Sequence, residues 1–134
     1  MVEERVPNQE LGAVKTIAAG ASGLELLVLF GSRGRGDGHG GSDWDLAYLG
    51  TQSLEIGRLH AELTTRLGTD RIDLVDLARA GGLLRFRVAR DGVPIYESRD
   101  GVFQAFWLKA VQFWCDARHV LDASYETVLA NLDQ

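Results

Sequence analysis

The stretch that decides the fold is LELLVLFGSRGRGDGHGGSDWDLAYL, residues 24–49. Its first seven residues, Leu24–Phe30, are almost wholly apolar, which predicts a strand covered on both faces. Six of the sixteen glycines then fall within residues 31–41, where ordinary core packing is excluded because glycine has no side chain. Apolar and polar residues alternate in Ser42–Leu49, which predicts a second strand with one polar end. The centre of the predicted fold is therefore two strands separated by a glycine-rich segment.

A helix is predicted before this centre and helices with further strands after it, since apolar residues recur at helical spacing on both sides. The predicted elements are, in chain order, a helix near 11–18, strands at 24–30 and 42–49, a helix at 53–67, a strand at 71–77, a helix at 83–91, an extended piece at 93–96 and a helix at 102–122. Residues 1–8 are expected to be a frayed start. The pattern predicts a single α/β domain over residues 1–134 with a helical C-terminal end.

The amino-acid composition of the chain limits the classes of function that it is compatible with. The 134 residues are 46% hydrophobic and 25% charged, as in soluble globular proteins. The net charge of -5 argues against a broad nucleic-acid surface. Residues 1–10 include acidic residues and no apolar run of the kind that a secretory signal needs. The single cysteine cannot form an internal disulfide, and no apolar stretch reaches the length of a membrane span. We expect a cytoplasmic protein whose partner is a small molecule or another protein.

Three aspartates are candidate metal ligands. Asp43 and Asp45 lie two apart on a predicted strand, so they share one face with Cα atoms about 6.5–7 Å apart. A divalent cation would relieve their repulsion, and Asp73 supplies a third carboxylate if its strand lies beside theirs. Such oxygen ligands suit Mg²⁺ or Mn²⁺, which usually share their coordination with substrate phosphates. Asp76 is the alternative third carboxylate, although its place near the strand end is more typical of a solvated cap.

A candidate phosphate site comes directly after the first strand. Gly31 permits close approach of backbone N–H groups to a phosphate, and the hydroxyl of Ser32 can donate a further hydrogen bond. Arg33 and Arg35 would add positive charge. The alternatives stay open that Ser32 only caps a helix and that the two arginines are ordinary solvated charges.

The order of these parts resembles the DNA polymerase beta superfamily of nucleotidyltransferases, and specifically its minimal nucleotidyltransferase (MNT) branch, the antitoxins of HEPN/MNT toxin–antitoxin pairs. The resemblance runs from LVLFGSRGRG through SDWDLAYLG and RIDLVDL to LLRFRVARDGVPIYE. In this chain Trp44 stands where an aliphatic residue is common, and the loop at 34–41 is unusually rich in glycine.

The resemblance implies a polymerase beta-like fold, with a small mixed sheet flanked by helices. It implies that Gly31 and Ser32 bind phosphate and that Asp43, Asp45 and Asp73 are catalytic and hold two Mg²⁺ ions. Asp73 would also accept the proton of the attacking hydroxyl. The implied reaction is ATP-dependent transfer of AMP to a tyrosine of a HEPN RNase toxin, with which the chain would form a hetero-oligomer.

Two other functions remain open. The chain could neutralise its toxin by binding and occlusion alone, although three clustered carboxylates favour an enzyme. It could instead modify a small hydroxyl compound, although related enzymes of that kind usually carry an additional substrate domain. The aromatic stripe of the last helix, from Phe103 to Trp114, is expected to be core, with an interface as the alternative.

Overall fold

The computed structural model of the protein describes residues 8–31 and 43–132, with the side chains of residues 9–31 and 43–118. The elements in these residues are α1 (Asn8–Ala19), β1 (Leu24–Phe30), β2 (Trp44–Gly50), α2 (Ile56–Leu67), β3 (Ile72–Asp76), α3 (Gly82–Asp91), β4 (Val93–Glu97) and α4 (Val102–Leu132). The helix expected at 102–122 begins as expected and continues to Leu132. The expectation for residues 1–8 falls, apart from Asn8, outside the described residues.

The described strands form one mixed sheet in the order β3-β2-β1-β4. β1 runs antiparallel to both β2 and β4, whereas β2 and β3 are parallel. Helix α2 is the crossover that a parallel pair requires. The starts of β2 and β3 consequently lie at one edge of the sheet, together with the end of β1. The predicted mixed sheet flanked by helices is confirmed.

The core has one layer on each face of the sheet. Leu27 and Leu29 of β1 belong to a buried cluster with residues of α1 and α2. Leu26 and Val28 belong to a second cluster with residues of α3 and α4. Full burial of such side chains contributes about 1.5–3 kcal/mol each. β1 is therefore covered on both faces, as its continuous apolar run predicts.

Helix α2 follows its apolar stripe closely. Leu59 and Leu63 are buried against the sheet. The helix stops at Gly68, whose φ of 68° is left-handed and whose N–H donates to the carbonyl of Thr64. Glycine adopts this conformation without steric penalty, so the end of the helix is encoded locally.

Helix α4 divides its aromatic stripe between core and surface. Phe106 is 3% exposed, whereas Trp107 is 40% exposed and Phe113 is 59% exposed. Trp114 stacks on Phe86 of α3 with ring centroids 5.1 Å apart. The stripe, for which core was expected and an interface was the alternative, is therefore divided between buried and exposed side chains. No helix in the described part of the chain has both the length and the apolar character needed to cross a bilayer.

Candidate active site

The register of β2 and β3 brings two of the predicted carboxylates together. Asp45 of β2 and Asp73 of β3 are paired directly on these parallel strands. Residues paired across adjacent strands project to the same face, and the strands lie about 4.8 Å apart. The condition stated from the sequence, that the strand of Asp73 lies beside that of Asp45, is met.

Asp43 stands just before β2 at the same edge of the sheet and is exposed. Its Oδ1 is 3.9 Å from Nε of Arg71, the residue that precedes β3. The backbone N–H of Trp44 donates to the carbonyl of Arg71 over 2.9 Å. Arg71 thus holds the starts of both strands together through its backbone and approaches Asp43 with its side chain.

The electrostatics of this edge centre on Asp45. Burial raises the pKa of its carboxyl above the ordinary value, and the charges of Asp73 and Asp43 raise it further. All three causes disfavour the ionised form. A cation placed between Asp45 and Asp73 would reverse the two charge effects.

Gly31 joins the end of β1 to the carboxylate pair. Phe30, the last residue of β1, pairs with Asp45, and Gly31 follows with a left-handed φ of 71°. A Cβ built on Gly31 would overlap Oδ2 of Asp45 and lie 3.1 Å from its Cγ. Only glycine lets the backbone pass this close to the carboxylate. The other predicted phosphate-binding residues, Ser32, Arg33 and Arg35, lie outside the described residues.

Asp76 has a different environment from Asp73. It ends β3 opposite Tyr48, on the sheet face covered by α1 and α2. Its Oδ1 accepts a hydrogen bond of 2.9 Å from the N–H of Ala78, and its Oδ2 lies 3.7 Å from Nε of Arg79. Burial raises the pKa of Tyr48, and Asp76 raises it further. Asp76 therefore stabilises the turn after β3.

The carboxylates fit a hard divalent cation by their chemistry. Asp45 and Asp73 would supply oxygen ligands from neighbouring strands. Besides burial, the charge of Asp73 raises the pKa of Asp45, and a cation would offset this repulsion. Among the described side chains, those of residues 9–31 and 43–118, no three acidic, histidine or cysteine groups stand close enough to hold a metal ion by themselves. Mg²⁺ commonly uses one or two carboxylates together with waters and substrate phosphates.

Two contributors to this edge escape prediction from the sequence. The sequence predicts only that Arg71 is the first residue of a strand and that His60 lies on the surface of a helix. Nε2 of His60 lies 2.9 Å from the carbonyl oxygen of Ile72, so it donates to the strand residue next to Asp73. Both contacts depend on how distant segments pair, which local spacing does not encode.

Comparison with known proteins shows the family of the chain. The family described as polymerase beta, nucleotidyltransferase matches residues 13–101, more than half of the chain. The chain belongs to the polymerase beta nucleotidyltransferase family. The fold and the superfamily resemblance expected from the sequence are thereby confirmed.

Relatives of this chain extend the resemblance to the MNT branch. It is 33% identical to the protein adenylyltransferase MntA of Aphanizomenon flos-aquae over 96 residues, which are 62% of this chain and 63% of that protein. It is 32% identical to MntA of Shewanella oneidensis over 111 residues, which are 81% of this chain and 78% of that protein. A crystal structure of a toxin–antitoxin with AMP-PNP has a TM-score of 0.70 at 26% identity, covering 89% of this chain and 98% of that chain. The predicted resemblance to MNT antitoxins is confirmed.

Proposed function

We propose that the protein is a metal-dependent protein adenylyltransferase that transfers AMP from ATP to a tyrosine hydroxyl of a cognate HEPN toxin and so neutralises it. The observation that carries the proposal is the direct pairing of Asp45 with Asp73 beside the left-handed Gly31. The MntA relatives are protein adenylyltransferases, and the toxin–antitoxin neighbour was solved with an ATP analogue.

Asp43, Asp45 and Asp73 are the residues that would hold Mg²⁺. When bound, the ions neutralise phosphate charge and lower the pKa of the attacking hydroxyl. Asp73 would accept the proton from the acceptor hydroxyl, a role supported by its being the exposed member of the directly paired carboxylates. A bond forms between the hydroxyl oxygen and the α-phosphorus of ATP. The bond between that phosphorus and the oxygen that bridges the α- and β-phosphates breaks, and pyrophosphate leaves.

The bend after β1 would hold the triphosphate. The backbone of Gly31 already lies against Asp45, so a phosphate bound there is next to the carboxylates. In the proposal the hydroxyl of Ser32 donates to a phosphate oxygen, and Arg33 and Arg35 add positive charge.

The test is intact-mass spectrometry of a cognate HEPN toxin after incubation with the protein, ATP and Mg²⁺. We expect mass increments of AMP on the toxin and loss of its RNase activity. Both should disappear with Asp43→Asn/Asp45→Asn and with EDTA. Asp100→Asn is the matched control, because this exposed carboxylate follows β4 at the opposite edge of the sheet.

Two results would contradict the proposal. A tight complex that blocks the RNase without any mass change would show occlusion. Labelled nucleotide recovered on an added small alcohol, with the toxin unmodified, would show the small-molecule activity instead.

A further inference from the structure

A cleft of about 400 Å³ opens beside Gly31. The end of β1 and one side of α3 form its walls, with Phe30, Gly31, Leu84, Arg87, Arg90 and Asp91 as the lining residues. Since Gly31 also touches Asp45, the cleft and the paired carboxylates share a wall.

The sheet topology fixes this position of α3. Helix α3 runs almost directly into β4, and Val93 at the start of β4 pairs with Leu29 of β1. Leu29 is one residue before Phe30, which pairs with Asp45. The last turn of α3 therefore lies at the same edge of the sheet as the candidate active site.

The two arginines of the cleft differ in what they contact. Arg90 is held by Asp91, with Nε 2.9 Å from Oδ1 and Nη2 2.8 Å from Oδ2, and its guanidinium lies over the ring of Phe86. Arg87 lies one helical turn earlier and is exposed. Among the described residues it has no hydrogen-bond or ion-pair partner. Arg87 therefore gives the cleft an uncompensated positive charge within the described part of the chain.

The neighbouring groups indicate the ligand class. A molecule that spans Gly31 meets carboxylates on one side, where a cation fits, and a guanidinium on the other. A polyphosphate satisfies both, because its oxygens coordinate cations and accept paired hydrogen bonds from arginine. Phe30 and Leu84 form an apolar part of the cleft wall, which strengthens such contacts by excluding water.

We propose that Arg87 is a further substrate-binding residue, which contacts the β- and γ-phosphates of ATP and then the departing pyrophosphate. This inference rests on the proposed function, because the α-phosphate must lie at the carboxylates where the acceptor hydroxyl reacts. The terminal phosphates then extend past Gly31 into the cleft.

The experiment compares Arg87→Gln and Arg87→Lys with the wild-type protein by calorimetric titration in Mg²⁺. The probes are ATP, inorganic tripolyphosphate and AMP. Loss of a charge-assisted contact should weaken binding of ATP and tripolyphosphate about ten-fold or more, and binding of AMP less than about two-fold. Arg87→Lys should be intermediate, because lysine keeps the charge without the planar fork. Arg58→Gln is the control, since Arg58 is exposed on α2 and pairs with Glu62.

The outcomes separate this inference from the proposed function. If wild-type protein binds ATP and Arg87→Gln binds it equally well, Arg87 has no such role and the proposed function stands. An equal loss of ATP and AMP binding would overturn the assignment to the terminal phosphates. A wild-type protein that binds no ATP would overturn both. Unchanged thermal unfolding of Arg87→Gln would show that any loss is not due to misfolding.

Discussion

Asp45 couples the candidate active site to the stability of the fold. Burial, Asp73 and Asp43 raise its pKa above the ordinary value of 3.8. A carboxyl with a raised pKa in the folded state binds its proton more tightly there than in the unfolded chain. The ionised Asp45 carboxylate therefore lowers the free energy of unfolding at pH values above the raised pKa. This destabilisation weakens as the pH falls through the raised pKa and vanishes below pH 3.8.

Asp45→Asn should consequently stabilise the metal-free protein. The midpoint of thermal unfolding at pH 7 should exceed that of the wild type, because the amide removes both the desolvation of a charge and the repulsion from Asp73. The difference should shrink as the pH falls towards 3.8. Calorimetric scans in EDTA from pH 7 to pH 4 would check this, with Asp100→Asn expected to follow the wild type. A lower midpoint for Asp45→Asn at pH 7 would contradict the electrostatic account of this edge.

Gly31→Ala tests the close approach of β1 to Asp45. Two effects should add: a left-handed residue with a Cβ costs about 1–2 kcal/mol, and that Cβ overlaps the Asp45 carboxylate. Gly68→Ala isolates the first effect, because Gly68 has a similar φ of 68° with no atom within 4 Å of its built Cβ. Urea unfolding should show a larger loss of stability for Gly31→Ala than for Gly68→Ala. Equal losses would mean that the contact with Asp45 is not tight.

Helix α4 should show two distinct energetic roles along its length. Phe106→Ala should lower the free energy of unfolding by about 3–5 kcal/mol, because its buried ring leaves a cavity between α4 and the sheet. Phe113→Ala should lower it by less than about 1 kcal/mol, because the ring is 59% exposed. Urea titrations with matched slopes would measure both changes. Similar losses for the two variants would refute the division of this helix between core and surface.

The secondary structure is predictable because its signals are local. The apolar run of β1 and the stripe of α2 each identify their element without reference to the rest of the chain. Gly68 ends α2 for a backbone reason that any such helix shares. The extent of α4 is less predictable, because its apolar stripe weakens after Trp114 while the helix continues to Leu132.

The site is predictable only in its parts. Spacing within one strand places Asp43 near Asp45, and the resemblance to a known family adds Asp73. The pairing of Asp45 with Asp73 is a property of the β2–β3 register, which no local pattern contains. The sequence alone does not predict that Arg87 and His60 lie near the candidate active site, because their positions depend on how whole helices pack.

At the scale of the molecule, the fold brings the residues of the candidate active site together at one edge of the sheet. The end of β1, the starts of β2 and β3, and the end of α3 meet there through the strand pairings. The turn capped by Asp76 lies at the other end of β3. The protein therefore contains a matched pair of carboxylates on one strand, of which only Asp73 belongs to the candidate active site.

That pair provides the most direct measurement: AMP incorporation into the cognate HEPN toxin, by intact mass, for Asp73→Asn and Asp76→Asn at equal protein concentration. We predict that Asp73→Asn abolishes incorporation while Asp76→Asn, once shown to be folded, keeps incorporation near the wild-type level. Full incorporation by Asp73→Asn, or selective loss with Asp76→Asn, would contradict a reaction centred on the paired Asp45 and Asp73.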